Sequence, residues 1–129
     1  MLSQVDAFAA DVDENLIAIL NDTHIGAQHP SSASIPTNLR NAIAYLMALP
    51  KQPAAVIING DLALNDGQPG DYTHFAKLIA PLREVGIPVH LTMGNHDNRD
   101  HFRAALDAKP ITRRPVEDKQ VALVESRLV

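Results

Sequence analysis

Cysteine is absent from the chain. Disulfides, zinc–thiolate sites and thiol nucleophiles are thereby excluded together, and any bound metal must be held by nitrogen and oxygen. A basic excess is lacking as well. The formal net charge is −4, which argues against a dedicated nucleic-acid binder, whose electrostatic footprint would be positive. Arg99, Arg103, Lys109, Arg113 and Arg114 form one local basic stretch, and it reads as solvated surface rather than as an anion site. No apolar run approaches the length of a membrane span, and the first residues lack the basic start and apolar centre of a signal peptide. A cytoplasmic protein without membrane contact is the resulting expectation. Neither a Walker A pattern nor a dinucleotide-binding glycine fingerprint is present, which removes the usual nucleotide-binding reasons for a parallel sheet.

What is present suits one globular domain: 129 residues, 46% hydrophobic and 20% charged, enough for a single core and not for two. Residues 1–14 are mixed and acidic and read as an amino-terminal arm. Leu16-Ile17-Ala18-Ile19-Leu20 is a short continuous apolar run, as expected of a strand buried on both faces, and it ends at Asn21-Asp22-Thr23-His24-Ile25-Gly26. Thr37 is the expected N-cap of a first helix that carries Leu39, Ala42, Ile43, Leu46 and Met47 on one face and ends at Pro50 and Pro53. The pattern then repeats. Residues 54–58 form a second apolar strand that runs into Asn59-Gly60-Asp61. Asp71 is expected to cap a second helix with Tyr72, Phe75, Leu78, Ile79, Leu82 and Val85 inward, kinked or split at Pro81 and closed by Gly86 and Pro88. A third strand over 89–93 ends at Gly94-Asn95-His96-Asp97. A third helix from Asn98 to just before Pro110 and a fourth strand over 120–124 complete the expected order.

Strands alternating with helices at this spacing indicate an α/β chain with βαβαβ connectivity, a parallel-type sheet and flanking helices. Asp22 to Asp61, and Asp61 to Asn95, are each the length of one crossover unit, roughly 30 residues or more. All three polar clusters therefore fall at the carboxyl ends of neighbouring strands, the edge where open α/β sheets place their ligands. A strand rising into a tight polar turn is a rigid mount, so Asp22, His24, Asp61, Asn95, His96 and Asp97 are expected to converge. Carboxylate, imidazole and amide oxygen suit manganese, iron, zinc or magnesium. Two carboxylates at one sheet edge repel each other unless a divalent cation lies between them. A pair of metals about 3.5–4 Å apart grips both oxygens of an in-line phosphoryl displacement and turns a bound water into the nucleophile. Phosphoester hydrolysis is the chemistry such a site serves best.

Asp22-Thr23-His24 resembles the D-x-H motif of the calcineurin-like metallophosphoesterases, Gly60-Asp61 their G-D motif, and Gly94-Asn95-His96-Asp97 their G-N-H-D motif, in the family's order and each after an apolar strand. Alone each motif is weak; together they are specific. The resemblance implies that Asp22 and His24 bind a first metal, that Asp61 bridges two metals and that Asn95 binds the second. It places His96 beside the site as the catalytic histidine, stabilising the charged transition state or protonating the leaving oxygen. The implied cofactors are two divalent or mixed-valence ions, manganese, iron or zinc. Residues 60–67 and 94–103 are most similar to the cyclic-nucleotide phosphodiesterase branch, so the implied partner is a small phosphodiester, a cyclic nucleotide or a related diester.

Two departures temper what the resemblance implies. The family completes its metals with later histidines, in a G-H and a G-H-x-H motif, and nothing here supplies them. Its fold is a four-layer α/β/β/α sandwich, of which this chain corresponds to the first half. Residues 1–129 therefore read as a single, incomplete domain. The second departure is Leu64, three residues after Asp61, where some branches carry an aspartate that orients the catalytic histidine. Asp97, or a group outside the chain, is expected to do so here.

Against the enzyme stands a catalytically inactive metal-binding fragment that self-associates through an uncovered sheet face; a variant connects the two readings, a dimer that covers the sheet and brings His74 or His101 of a neighbour near the site. Plainer roles also exist. Asp22 and Asp61 also suit helix caps or turns, and His96-Asp97 matches the H-D signature of the helical phosphohydrolases, although its position after a strand and Gly94 disfavours that fold. Asn65-Asp66-Gly67 reads as a turn, and His90 as a residue packed within its strand. His29, His74 and His101 read as surface residues, with His29 nearest the mouth of the site.

Overall fold

The computed structural model describes residues 11–30 and 32–106. Among them, strands β1 (Val12–Asn21), β2 (Gln52–Asn59) and β3 (Val89–Leu91) alternate with helices α1 (Ser34–Met47), α2 (Pro69–Glu84) and α3 (Arg99–Leu106). The strands form one sheet in the order β1-β2-β3, and both pairings are parallel. This is the α/β, βαβαβ arrangement expected from the sequence. The expected fourth strand over 120–124, most of the arm and three of the five basic residues (Lys109, Arg113, Arg114) lie outside the described residues.

The two faces of the sheet differ. Register pairs Ala18 with Val56 and Leu20 with Ile58, and Val56 and Ile58 with Val89 and Leu91. These residues face the helices: Val56 and Ile58 are fully buried, and Ala18, Leu20, Val89 and Leu91 pack against the same core. Because side chains alternate along a strand, Ile17, Ile19, Ala55, Ile57 and His90 share the opposite face. Ile19 there is 60% exposed. The apolar run of β1 is thus not buried on both faces by the described residues, because α1, α2 and α3 all pack on the other side. On the covered side, Leu39, Ile43 and Leu46 of α1 and Tyr72, Phe75, Ile79 and Leu82 of α2 fill the core, closed by Phe102 and Leu106 of α3.

Several element ends differ from the sequence expectation. β1 starts at Val12, inside the expected arm, because Val12 and Asp13 pair with Gln52 and Pro53 before the register shifts ahead of Ile17. α1 starts at Ser34 with Ala33 as N-cap and no side-chain cap. Buried Pro36 fits the first turn, where its missing N–H has no intrahelical partner to lose, so Thr37 lies inside the helix and accepts instead from Arg40 Nη2 at 2.9 Å. In α2 the N-cap is Gln68 and Asp71 occupies the third position of a capping box. Asp71 Oδ2 accepts Gln68 N at 3.0 Å, while its Oδ1 accepts Ala27 N at 2.7 Å, which joins the start of α2 to the loop after β1. Pro81 does not split the helix, which runs unbroken from Pro69 to Glu84; the burial of Leu78, Ile79 and Leu82 around it holds the last turn to the core. That end closes as the sequence suggests. Gly86, at φ 85°, passes its N–H to Arg83 O, and Ile87 N bonds Leu82 O, the paired bonds of a Schellman cap. β3 is shorter than expected, and α3 is capped by Asn98 Oδ1, which accepts the N–H groups of Asp100 and His101 at 3.1 Å each.

Candidate metal centre

Pairing of β1 with β2 continues past both strands into the turns that follow. Asp22 N donates to Asn59 O at 3.3 Å, His24 N to Asp61 O at 2.9 Å and Ile25 N to Leu62 O at 2.8 Å, and Leu64 N returns to Ile25 O at 3.0 Å. The D-x-H turn is therefore laid in register on the G-D turn rather than hanging free. A polar rail crosses the same strand ends: Asn59 Nδ2 donates to Asn21 Oδ1 at 3.3 Å, and Thr92 Oγ1 donates to Asn59 Oδ1 at 2.8 Å while accepting Gly60 N at 2.9 Å.

This mounting brings Asp22, His24 and Asp61 together, with one potential ligand atom from each lying within 4.8 Å of the others. All three hold left-handed backbone, with φ of 51°, 45° and 39°, and among the described residues no other non-glycine residue has positive φ. Asp and His tolerate this region better than most residues, yet such conformations cost of order 1–3 kcal/mol and gather at functional sites. The strain turns three side chains that would otherwise follow the strand direction toward one point. The motif letters carried the residue identities; the backbone inversion behind them was not read from the sequence, although Gly60 before Asp61, at φ 67°, is its one compositional trace.

The third turn closes on the same point. His96 N donates to Asp61 Oδ1 at 2.9 Å, and the His96 ring stands edge-on to that of His24, with centroids 5.1 Å apart and planes at 88°. A Cβ at Gly94 would fall on Asp61 Oδ1 and Asp61 N, so only glycine fits there. Asn95, between these two contacting residues, is exposed. Nδ1 of His96 is buried with no hydrogen-bond partner among the described residues.

Asp97 does not orient His96. Its Oδ2 accepts Leu62 N at 3.0 Å and Gly94 N at 2.9 Å, and its Oδ1 accepts Ala63 N and the Tyr72 hydroxyl, each at 3.0 Å. With both oxygens committed, the aspartate is a clasp between the second and third turns. Tyr72, fully buried, also accepts Asn98 N at 2.7 Å. Burial, reinforced by the nearby charge of Asp97, holds its phenol well above the ordinary tyrosine range. The sequence placed Tyr72 only as an inward helix residue; a buried tyrosine hydroxyl needs a partner, and that was the available clue.

The remaining histidines are more engaged than surface residues. His74 Nδ1 lies 2.8 Å from Gly26 O, His101 Nδ1 2.7 Å from Gly67 O, and His29 Nε2 3.4 Å from the carbonyl of His24 itself. His90 is half-buried in β3 opposite Ile57. Asn65-Asp66-Gly67 forms the expected turn, with Asp66 Oδ2 accepting Gln68 Nε2 at 2.7 Å and Gly67 at φ 66°. An open cleft of about 290 Å³ adjoins the cluster on the α1 side, between Asp22, Thr23 and His24 and the helix residues Ile35, Asn38 and Leu39.

The donor set fits a divalent cation. Two carboxylates and an imidazole within ligand distance of one another repel or remain unsatisfied without one, and oxygen with nitrogen is the donor mixture of manganese, iron and zinc sites. The unpaired His96 nitrogen beside them is a costly buried polar group with no structural use among the described residues. Among the described residues, no helix is long and apolar enough to cross a membrane.

Comparison with known proteins agrees with this geometry. The family model for calcineurin-like phosphoesterases matches residues 16–124. A protein of Rhodococcus erythropolis named "probable cyclic nucleotide phosphodiesterase" is 32% identical over 108 residues, which cover 81% of this chain and 36% of the relative. The chain thus spans about a third of the length of that relative. Its three strand-end motifs and the extent of the match place it plainly: the chain belongs to the calcineurin-like phosphoesterase family.

Proposed function

We propose that the chain carries the first part of a binuclear-metal phosphodiesterase site acting on a small diester, a cyclic nucleotide or a close relative of one. The observation that carries this reading is the convergence of Asp22, His24 and Asp61, one ligand atom from each, to within 4.8 Å on left-handed backbone. Asp22 and His24 would hold one ion, Asp61 would be shared between two and Asn95 would serve the second; manganese, iron or zinc fit the donors. Bound there, such ions supply Lewis acidity toward water and the phosphoryl oxygens. The chain's own groups do the rest. Asp61 keeps one carboxylate oxygen fixed on His96 N, and His96, oriented edge-on against His24, assists the departing oxygen. The diester assignment draws support from the name of the Rhodococcus relative. The test is manganese(II) binding and hydrolysis of a generic phosphodiester by the chain and by Asp61→Ala. Loss of both in the variant supports the reading, and a variant that binds and hydrolyses like the parent overturns it.

A second reading is favoured by one observation. The sheet face bearing Ile17, Ile19, Ala55 and Ile57 has no covering element among the described residues, and Ile19 is 60% exposed. Contiguous apolar surface of this kind marks an interface. On this reading the chain is a catalytically inactive metal-binding fragment that associates with itself through that face. Two tightly held metal ions per chain in chelator-treated, reloaded protein would exclude it.

A further inference from the structure

The geometry points to Tyr72 as a positioning residue for the metal centre: acting through Asp97, it fixes the separation between the turn that carries Asp61 and the turn that carries Asn95. This inference rests on the metal-site reading above and adds a group from α2 that touches neither metal nor substrate.

Asp97 bonds to both turns at once, through Leu62 N and Ala63 N on one side and Gly94 N on the other. It follows Asn95 by two residues and reaches the two amides directly after Asp61, so together with the Asp61 Oδ1–His96 N bond it sets how far apart those two ligands stand. Three amides approach it from the turns it clasps; the Tyr72 hydroxyl comes from outside them, on a helix anchored in the core. The phenol is itself held from two sides, accepting Asn98 N at 2.7 Å and packing its ring edge-on against Phe102 with centroids 6.0 Å apart. Gly67 leaves room for this arrangement, since a Cβ there would collide with Asn98 N and with the Tyr72 hydroxyl. Without the hydroxyl, Asp97 Oδ1 keeps only Ala63 N, and Asn98 N is left without its acceptor. Asp97 then keeps its three amide bonds but loses the one anchor that comes from outside the two turns, so the separation of Asp61 and Asn95 is held less tightly. Groups hydrogen-bonded directly to metal ligands are worth about 10–100-fold in metal affinity; Tyr72 stands further back, behind Asp97, and its share is at the low end of that range.

Manganese(II) affinity, read from the free-ion paramagnetic resonance signal, is compared in the parent chain, Tyr72→Phe, Phe102→Leu and Asp61→Ala, with melting curves of the metal-free proteins alongside. Tyr72→Phe is expected to weaken binding by about tenfold and to change the visible spectrum of the cobalt(II)-loaded protein. Phe102→Leu disturbs the same packing but keeps the hydroxyl, so it is expected to melt earlier with parental affinity and spectrum. Parental affinity and spectrum in Tyr72→Phe, with binding lost in Asp61→Ala, overturn the inference and leave the site reading standing. Equal weakening in Tyr72→Phe and Phe102→Leu at equal loss of stability overturns it too. Undiminished binding in Asp61→Ala overturns the site reading itself. A second measurement does not depend on how well Tyr72→Phe folds. With Tyr45 replaced by Phe, fluorotyrosine labels Tyr72 alone, since the chain has 2 tyrosines. Its fluorine resonance is expected to move during zinc(II) titration with the midpoint of metal binding; a resonance that stays in place overturns the inference.

Discussion

Asp61 Oδ1 accepts the backbone N–H of His96 at 2.9 Å, so the carboxylate expected to bridge two metals is also what seats the turn carrying the expected catalytic histidine. One side chain serves the geometry of the third turn and the charge of the cluster. The two contributions separate in Asp61→Asn, whose amide oxygen can still accept from His96 while the negative charge is gone. Manganese(II) affinity is expected to fall by about tenfold or more, while the melting temperature of the metal-free protein changes little or rises, since a repulsion with Asp22 has been removed. Calorimetric titration beside thermal melting checks both; parental affinity in Asp61→Asn would remove Asp61 from the ligand set.

Gly94 packs against the same carboxylate, and the position a Cβ would take coincides with Asp61 Oδ1 and Asp61 N. Gly94 is not among the glycines with positive φ, so alanine there brings no backbone strain of its own and the effect of Gly94→Ala is steric. Asp61 is backbone-anchored and cannot swing away cheaply. Gly94→Ala is expected to destabilise the metal-free protein by about 1–3 kcal/mol, the range for overpacking, and to weaken metal binding in addition. Urea unfolding measures the first and manganese(II) titration the second.

The sequence made the α/β order and the converging turns legible because both rest on short-range patterns: apolar runs such as 54–58, and polar triplets directly after them. Element ends were less legible where tertiary contacts decide them. Pairing of Val12 and Asp13 with Gln52 and Pro53 extends β1 into residues with no strand period, and burial of Pro36 moves the start of α1 upstream of the better cap, Thr37. Burial on both faces was read from Leu16 to Leu20 because an apolar strand carries no mark of which layer covers which side. Closure of its own turn by Asp97, through Gly94 N, is legible from its place after Gly94-Asn95-His96; its reach to the second turn and to α2 is not, for a different reason. Its partners at Leu62, Ala63 and Tyr72 are 25 to 35 residues away in the chain, and three of its four bonds are to backbone amides, which leave no residue signature.

Tyr72 also sets an alkaline limit. Its phenol is raised above the ordinary tyrosine value of 10.0, chiefly by burial, so the folded state favours the protonated form. The stability this supplies is complete below the unfolded value near 10 and is lost as pH rises toward the higher folded one. The stability advantage of the parent over Tyr72→Phe is therefore expected to be constant from neutral pH to about 9 and to shrink above about 10. Urea midpoints of the two proteins across this range check it; a gap that widens with pH would mean that the phenol ionises more readily in the fold than outside it.

The two sides of the sheet make opposite predictions for adjacent residues. Ile58, fully buried on the helix side, is expected to cost about 2–5 kcal/mol when truncated to alanine. Ile19 lies on the other face, 60% exposed and in register with Ile57, where a single lysine removes apolar surface without opening a cavity. Ile19→Lys is expected to change folding stability by no more than about 0.5 kcal/mol and to shift sedimentation toward monomer at a concentration where the parent associates. Matched velocity runs at several loading concentrations decide it. Association that persists in Ile19→Lys with the parent's concentration dependence removes this face as the contact, because a charge placed within it must be desolvated in any close apolar pairing.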